Sequence, residues 1–193
     1  NVDFQGFRGD IYVKEAIIPE GASVIPKSQF FECRSLEKVY LPESVSGIED
    51  YAFADCHVLK VWESIEKLSL KSVGVSAFDK CYALEFVSLP DSLTVIGGAA
   101  FAECVSVNKL IFSDTSLLKK IGDHAFRGCR NLKEVYLPDS VEYVGVSAFR
   151  DCSSLEQISV SEKIKKQPGI AELEKNCPNA RIRFREVNSV EKE

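Results

Sequence analysis

Seven cysteines recur along the chain at a spacing that alternates between 23 and 25 residues. They are Cys33, Cys56, Cys81, Cys104, Cys129, Cys152 and Cys177. The five from Cys56 to Cys152 each end the sequence Ala-Phe-x-x-Cys. A fixed period of this length is typical of stacked structural repeats, in which no single copy buries its own apolar face. We therefore predict a solenoid in which equivalent residues of successive coils form rows along its length.

Residues 131–152, NLKEVYLPDSVEYVGVSAFRDC, show how one copy is built. Val135 and Leu137 alternate with polar or aromatic neighbours, which is the period of two that places apolar side chains on one face of a strand. Pro138 cannot donate a ladder hydrogen bond, so it ends this strand. A second apolar segment follows, and Gly145 lets the chain pass close to its neighbour. Each coil is thus predicted to contribute one strand to a parallel ladder.

The repeated phenylalanines and cysteines are the predicted interior. The structural core consists of Phe53, Phe78, Phe101, Phe126 and Phe149 with Cys56, Cys81, Cys104, Cys129 and Cys152. Buried thiols behave as small hydrophobic side chains, so we expect the cysteines to be reduced. Adjacent coils lie about 5 Å apart, within the Cα range of disulfides, so spacing leaves disulfides open as the alternative. The cysteines therefore do not decide the redox compartment.

The regular pattern covers the middle of the chain and fades at both ends. We predict an N-terminal cap over residues 1–12, a solenoid of about six to seven repeats over 13–160, and a degenerate last repeat, cap and tail over 161–193. Residues 170–175 are compatible with a short helix, and residues 180–185 alternate like a closing edge strand. The sequence contains no methionine, which indicates a processed product or a piece of a longer protein.

Charge and hydrophobicity exclude two kinds of partner. The formal net charge is −5 and no basic stripe is seen, whereas nucleic-acid binding requires clustered lysine and arginine. No apolar run approaches the roughly 20 residues that span a bilayer. We expect no nucleic-acid partner, and membrane attachment only through a segment that is not part of this sequence.

Residues capable of catalysis or metal binding do not converge in this pattern. His57 and His124 occupy different repeat positions, so they do not form a matched pair. A row of cysteines offers one thiol per coil, whereas a zinc site needs ligands around one point. The sequence therefore predicts no catalytic residues, no metal and no cofactor, and an enzyme is the least favoured class.

The outward strand positions are the fifth and seventh after each cysteine. From these we select the apolar and aromatic residues as one candidate binding face: Tyr40, Val61, Phe86, Ile111 and Tyr136. Such side chains on a wet surface are candidates for protein contact. The general preference of strands for these residue types explains them equally well, so both interpretations stay open. Residues 8–10, Arg-Gly-Asp, are the tripeptide that integrins recognise, and their relevance depends on exposure.

The pattern Leu-x-x-Val-x-Leu-Pro-x-Ser-Val-x-x-Val-Gly-x-x-Ala-Phe-x-x-Cys, found at residues 132–152, resembles the leucine-rich repeat of the BspA-like family. This resemblance implies a β-rich, α/β-type solenoid that is right-handed and curved. It also implies a parallel concave sheet, with 3₁₀ turns or short strands on the convex side. Family members are mostly secreted or surface proteins of host-associated bacteria and some parasitic protists, and several are adhesins.

The function expected from the resemblance is non-enzymatic protein binding. The chain would be a monomeric, adhesin-like module of a secreted or cell-surface protein, and its concave face would recognise a host matrix protein or a microbial surface protein. The alternative is a structural spacer arm of a larger surface protein, with no ligand of its own.

Overall fold

The computed structural model describes residues 6–63 and 68–186, with only the backbone of residues 61–63. Over these residues the chain is a β-solenoid of about seven turns, with parallel sheets and few helices. This confirms the predicted stack of coils. The handedness and curvature of the stack, and 3₁₀ turns on its convex side, stay predictions.

Each regular coil contains one longer and one shorter strand. The longer strands are β1 (Glu15–Ile17), β3 (Lys38–Tyr40), β5 (Val61–Glu63), β7 (Phe86–Ser88), β9 (Lys109–Ile111), β11 (Glu134–Tyr136) and β13 (Gln157–Ser161). The shorter strands are β2 (Val24–Ile25), β4 (Gly47–Ile48), β6 (Ser72–Val73), β8 (Val95–Ile96), β10 (Lys120–Ile121) and β12 (Tyr143–Val144). From β3 onward every longer strand begins five residues after a cysteine, which is why the sequence period reappears as a ladder.

The strands form three parallel sheets. The shorter strands make one six-stranded sheet, and the longer strands make a sheet of β1, β3 and β5 and a second of β7, β9, β11, β13 and a final strand, β14 (Arg181–Arg185). Strands of the same kind pair with their equivalents one repeat away, as in Val39 with Ala16. Parallel neighbours need a long crossover, and here the rest of each coil supplies it.

The Ala-Phe-x-x-Cys segments are turns whose backbone groups bond alternately within the coil and to the next coil. The Cys104 N–H donates to the Phe101 carbonyl at 3.4 Å, while the Phe101 N–H donates to the Ala125 carbonyl in the following coil at 2.8 Å. Ala99 and Glu103, five and one residues before the cysteine, have positive φ of 52° and 55°. The same two positions have positive φ in every described turn from Ser28 to Asp151. These left-handed residues reverse the chain direction without a helix.

Aromatic rings form one continuous row through the solenoid. Consecutive ring centroids in this row are 5.1–5.5 Å apart, within the range of offset stacking. The row consists of Phe7, Phe30, Phe53, Phe78, Phe101, Phe126 and Phe149. All but Phe7 are at most 1% exposed.

The seven cysteines are free and buried, and they form a second row beside the rings. Each thiol donates to the phenylalanine carbonyl of the preceding coil, as Cys104 Sγ does to the Phe78 oxygen at 3.1 Å. That oxygen also accepts the Cys81 N–H at 3.2 Å. The cysteine therefore satisfies a buried backbone acceptor while it fills a small apolar space.

Glycines form a third row where successive coils approach most closely. A Cβ built on Gly122 would lie 2.5 Å from the Gly98 nitrogen and 2.6 Å from the Gly97 carbonyl carbon, and Gly97 meets the Gly74 carbonyl carbon at 2.5 Å. Backbone atoms cannot yield as a flexible side chain can. In the coils that contain Gly74, Gly97, Gly122 and Gly145, this glycine is thus required by packing between coils.

We expect Gly122→Ala to lower the free energy of unfolding by about 1–3 kcal/mol, because the new methyl group overpacks against the backbone of the neighbouring coil. Gly47→Ala is the matched control, since its Cβ would meet only side-chain atoms at 3.5 Å or more. It should change stability by about 0.5 kcal/mol or less. Urea unfolding of both variants measures the difference, and equal losses would contradict the close approach.

The last coil departs from the repeat after β13. A 3₁₀ helix (Glu162–Ile164) and two short helices, α1 (Pro168–Ala171) and α2 (Leu173–Asn176), replace the shorter strand and the turn, and β14 follows. Ile170 and Leu173 are buried and close the apolar interior. Two helices thus stand where the sequence indicated one, and the alternating segment forms an edge strand.

At the other end, residues 6–10 form the last part of one further turn, here called the N-terminal turn. The Phe7 N–H donates to the Gln29 carbonyl at 3.2 Å and the Gly9 N–H to the Phe31 carbonyl at 2.7 Å, the same bonds that link the regular turns. Gly9 has a positive φ of 74°, and the residues that precede the first six cysteines also have positive φ, between 55° and 75°. Asp10 takes the place of the cysteine. The domain boundaries at 12 and 160 stay predictions.

Candidate functional site

The outward side chains of the longer strands, which belong to two sheets, form the surface here called the ladder face. In β11, Val135 is buried at 3% exposure while Glu134 and Tyr136 are exposed, as the period of two requires. The ladder face presents a different set of side chains from each coil on a rigid backbone. It is the surface predicted from the outward strand positions.

The five selected residues lie on this face but in two columns. Lys38 pairs with Val61 and Tyr40 with Glu63, so the fifth and seventh positions after each cysteine form separate rows. Tyr40, Ile111 and Tyr136 belong to the seventh-position column, and Phe86 belongs to the other, next to Lys109. Val61 pairs with Lys38 and so belongs to the fifth-position column with Phe86, but its side chain is not among those described. The apolar residues are therefore interrupted by charged ones.

Exposure differs among them. Tyr136 is 50% exposed, Phe86 38% and Ile111 37%, whereas Tyr40 is half-buried. Ile17, in the same column as Tyr40, is 78% exposed and was missed because the first copy matches the repeat weakly. An apolar side chain this open to water belongs with the candidates.

Tyr136 already has a partner within the chain. The Arg185 guanidinium lies 3.8 Å from the centre of its ring and donates to its hydroxyl oxygen. Arg185 also forms an ion pair with Asp139 at 3.1 Å and donates to the Leu137 carbonyl. These contacts hold the ring in one orientation and add a cation to its surface.

A depression of about 460 Å³ lies on the ladder face beside Tyr136. Its polar lining comes from three successive coils: Asn108, Lys109, Lys133, Glu134, Glu156 and Gln157. An aromatic ring among amides and charges of both signs suits a partner whose surface is polar and carries one apolar anchoring side chain. The arrangement can bind and orient a partner.

A second depression, of about 530 Å³, adjoins Ile111 at the edge of the face. Its lining includes Pro90 and Asp91 from the short loop of one coil and Phe112 and Ser113 from the longer loop of the next. The Asp91 carboxylate accepts hydrogen bonds from the hydroxyls of Ser113 and Thr115, which lower its pKa. Alternation between 23 and 25 residues is the sequence signal for this groove, because the longer copies carry their extra residues in this loop.

Ion pairs between coils lie on and beside the ladder face. Lys38 and Glu15, in β3 and β1, approach to 4.0 Å. Lys60 and Glu37, which directly precede β5 and β3, approach to 3.8 Å, and all four side chains are exposed. Exposed pairs of this kind contribute about 0–1 kcal/mol each to stability. They set the charge pattern that a partner meets rather than the stability of the fold.

The two histidines lie in different coils and environments. His57 Nε2 is 3.4 Å from Asp55 and its ring is 4.7 Å from that of Tyr82, whereas His124 sits in a turn with a φ of 58°. Within residues 6–63 and 68–186, no three His, Cys, Asp or Glu side chains form a group that could hold a metal ion. Burial raises the pKa of the cysteine thiols, so the nucleophilic thiolate is disfavoured.

The Arg-Gly-Asp tripeptide is part of the N-terminal turn. Arg8 and Gly9 are exposed, and the Arg8 guanidinium lies 5.0 Å from the centre of the Phe31 ring. The half-buried Asp10 accepts hydrogen bonds from the Tyr12 and Val13 N–H groups at 2.8 and 3.2 Å. The carboxylate is thus engaged in closing a repeat turn.

None of the helices in the part of the chain that the structure describes has the length and apolar character needed to cross a membrane.

Comparison with solved structures returns bacterial leucine-rich repeat proteins. A leucine-rich repeat protein of Bacteroides ovatus superposes with a TM-score of 0.63 at 22% identity, covering 92% of this chain. The pneumococcal vaccine antigen PcpA gives a TM-score of 0.70 at 27% identity over 82% of this chain. The leucine-rich repeat protein TpLRR of T. pallidum gives 0.55 at 25% identity, covering 90% of this chain and 69% of its own. This chain spans 62% of the length of the Bacteroides protein and 43% of PcpA.

A search of curated proteins found no match. The family model described as the BspA type leucine rich repeat region matches six copies, over residues 2–117 and 71–169. These ranges include every regular repeat recognised in the sequence. The chain therefore belongs to the BspA-type leucine-rich repeat family.

Proposed function

We propose that this chain is a non-enzymatic protein-binding module of a secreted or cell-surface protein, and that its ladder face recognises a host matrix protein or a microbial surface protein. The observation that carries the proposal is the exposure of Phe86, Ile111 and Tyr136 on one rigid strand surface. Large apolar side chains held by a preformed backbone lose little conformational entropy on binding, which is how binding hot spots arise.

Two further observations support this surface. Both depressions described above open on it or at its edge, so a partner would bury concave as well as flat area. It carries charges of both signs, as the ion pair of Glu15 and Lys38 illustrates, which favours a partner with complementary charges over a purely apolar one.

The likeness to PcpA, a pneumococcal vaccine antigen, supports placement outside the cell. The likeness to a leucine rich cell surface protein of Faecalibacterium prausnitzii, at 24% identity, supports the fold alone. A solenoid of this family also offers extended area rather than a catalytic cleft, which supports binding over catalysis.

We expect the triple variant Tyr40, Phe86 and Tyr136→Ser to lose binding by about tenfold or more, since each truncated hot-spot residue costs about 1–2 kcal/mol. Binding of the purified chain to arrays of host matrix proteins and microbial surface proteins provides the measurement. Surface substitutions of this kind should leave the thermal midpoint nearly unchanged.

The matched control removes three tyrosines outside the ladder face, Tyr51, Tyr82 and Tyr143→Ser. These residues lie in turns and in a shorter strand, so the control should retain full binding. If the two triple variants bind equally well, the ladder face is not the recognition surface.

The spacer arm is the second candidate, and one observation favours it. The apolar residues of the ladder face fall into two columns, and the ring of Tyr136 is already covered in part by Arg185. In the spacer case, deleting two coils from the full-length surface protein would shorten its reach and leave partner binding intact. Loss of binding on that deletion would favour the binding module.

A further inference from the structure

Two loops of the solenoid have the same sequence, Leu-Pro-Asp-Ser. They follow the longer strands β7 and β11, at residues 89–92 and 137–140, and are here called the Asp91 loop and the Asp139 loop. In both, the leucine N–H donates to a carbonyl of the next coil, at 3.2 and 2.9 Å. In both, the residue after the serine donates to the proline carbonyl, at 3.0 and 3.1 Å. Because the backbone bonds are the same, the partner of one loop indicates what the other can bind.

The Asp139 loop binds an arginine of the chain itself. Arg185 Nη2 lies 3.1 Å from Asp139 Oδ1 and donates to the Leu137 carbonyl, and the guanidinium lies over the Tyr136 ring at 3.8 Å. A carboxylate, a backbone acceptor and a ring match the charge, the N–H donors and the flat face of a guanidinium. The Leu-Pro-Asp-Ser loop is therefore able to hold an arginine side chain.

The Asp91 loop borders a depression instead. The depression, of about 530 Å³, is lined by residues 89–92 and by Phe112 and Ser113 of the next coil. The Ser113 and Thr115 hydroxyls donate to different oxygens of the Asp91 carboxylate and so fix its orientation. A carboxylate has about four acceptor sites, so each oxygen keeps one for a bidentate guanidinium. The Asp91 loop thus combines a fixed carboxylate with space for a side chain.

The two loops differ in the ring that accompanies the carboxylate. Ser88 ends β7 where Tyr136 ends β11, and the ring that lines the depression is that of Phe112. Ile111, 37% exposed, adds apolar surface. Among the described residues that line the depression, Asp91 alone carries a charge. One negative charge beside apolar walls suits a side chain with an apolar stem and a cationic head, as arginine has.

We propose that the depression at the Asp91 loop binds an arginine side chain of the protein that the ladder face recognises, with the guanidinium on the Asp91 carboxylate and the methylene groups against Phe112. This inference rests on the proposed function, because Ile111 belongs to both the depression and the ladder face. It names the side chain that the partner presents at the edge of that face.

An NMR titration of the isotope-labelled chain with N-acetyl-arginine amide tests the proposal. The backbone amide signals of Asp91, Ser113 and Thr115 should shift and saturate. N-acetyl-citrulline amide has nearly the same shape without the charge, so it should bind at least about tenfold more weakly. Equal affinities for the two compounds, or an arginine titration that leaves these three signals in place, would overturn the proposal.

Two substitutions of acidic residues locate the binding. Asp91→Asn should weaken binding of the arginine derivative by about tenfold or more, because the charge-assisted bonds are lost. Asp114→Asn is the matched control: it removes the same charge from an exposed residue in the neighbouring loop that does not line the depression, and it should change the affinity by less than about twofold. Equal affinities of the two variants would mean that Asp91 does not hold the arginine. The spectra of both variants also show that the fold is retained.

A third substitution tests the equivalence of the two loops. Ser88→Tyr gives the Asp91 loop the ring that Tyr136 provides in the Asp139 loop, so it should tighten binding of the arginine derivative by about two- to fivefold. A variant that gains no affinity would contradict the equivalence on which the proposal depends.

The arginine site and the ladder face can fail separately. The triple serine variant at Tyr40, Phe86 and Tyr136 leaves the lining of the depression intact, so it should bind N-acetyl-arginine amide as the wild type does. If that variant loses its partner on the arrays while Asp91→Asn keeps it, the ladder face stands as the recognition surface and the arginine site is overturned.

Discussion

Raising the pH above about 9 should unfold this protein steeply, with the free energy of unfolding falling by up to about 10 kcal/mol per pH unit. The reason is the row of seven buried thiols. Burial raises the pKa of Cys33 and of Cys177, at the two ends of the row, from 9.0 to about 11. It raises the pKa of the five inner thiols further, and for Cys81 and Cys129 the neighbouring thiols add to the effect.

The direction of the pH effect follows from which state holds the proton. In the unfolded chain each thiol ionises near its ordinary pKa of 9.0, whereas in the folded chain it stays protonated to about 11 or above. The stability that these thiols contribute is therefore complete below pH 9 and is lost as the pH rises toward the folded values. Each thiol contributes about 1.4 kcal/mol per pH unit. A typical domain has only about 5–15 kcal/mol in total.

Urea unfolding at a series of pH values, with a reductant present, measures this slope. The double variant Cys81 and Cys129→Ala is the control: it should be less stable at neutral pH because two buried side chains are shortened, but its slope should be smaller by about two sevenths. A slope that is equal in the two proteins would assign the alkaline transition to lysine or tyrosine instead. An unfolding free energy that stays level between about pH 9 and 11 would mean that the thiols ionise within the folded state.

The rows of phenylalanine and cysteine could be predicted from sequence because they depend on spacing alone. Equivalent positions must stack when coils stack, whatever the detailed path of the chain, and Phe101 or Cys104 needs no other information to be placed in the interior. The binding face stays a prediction. Choosing the most apolar outward residue of each coil combined Phe86 with Ile111, although a strand offers two outward columns and the register separates them.

The contacts at the two ends could not be predicted from the repeat. Arg185 and Tyr136 are 49 residues apart, and the last coil contains helices that break the alignment between them. The N-terminal turn lacks both the alanine and the cysteine of the repeat, and only the hydrogen bonds of Phe7 and Gly9 to the first complete coil identify it. Terminal copies of a solenoid face a different neighbour on one side, so their sequences are under different constraints.

Replacing Phe101 with alanine should lower the free energy of unfolding by about 3–5 kcal/mol. The ring is fully buried and lies between those of Phe78, at 5.1 Å, and Phe126, at 5.5 Å. Its removal leaves a cavity in the middle of the row, and the coils cannot close it because the turn ladder fixes their separation. A coil in a solenoid contacts only its two neighbours, so the loss falls on both interfaces at once.

The row contains its own control, because Phe7 occupies the same position in the N-terminal turn but has one stacking partner among the described residues and is 38% exposed. Phe7→Ala should cost less than half as much as Phe101→Ala, since less apolar area is lost and no closed cavity remains. Phe101→Leu distinguishes the effect of aromatic stacking from the effect of filling the space. It should recover much of the lost stability, because leucine fills most of the cavity but cannot stack. Urea unfolding gives the loss of unfolding free energy for each of the three variants, provided that the slope of free energy against urea concentration is the same in all of them. Equal costs at Phe7 and Phe101 would mean that the row is not the continuous core through which each coil stabilises the next.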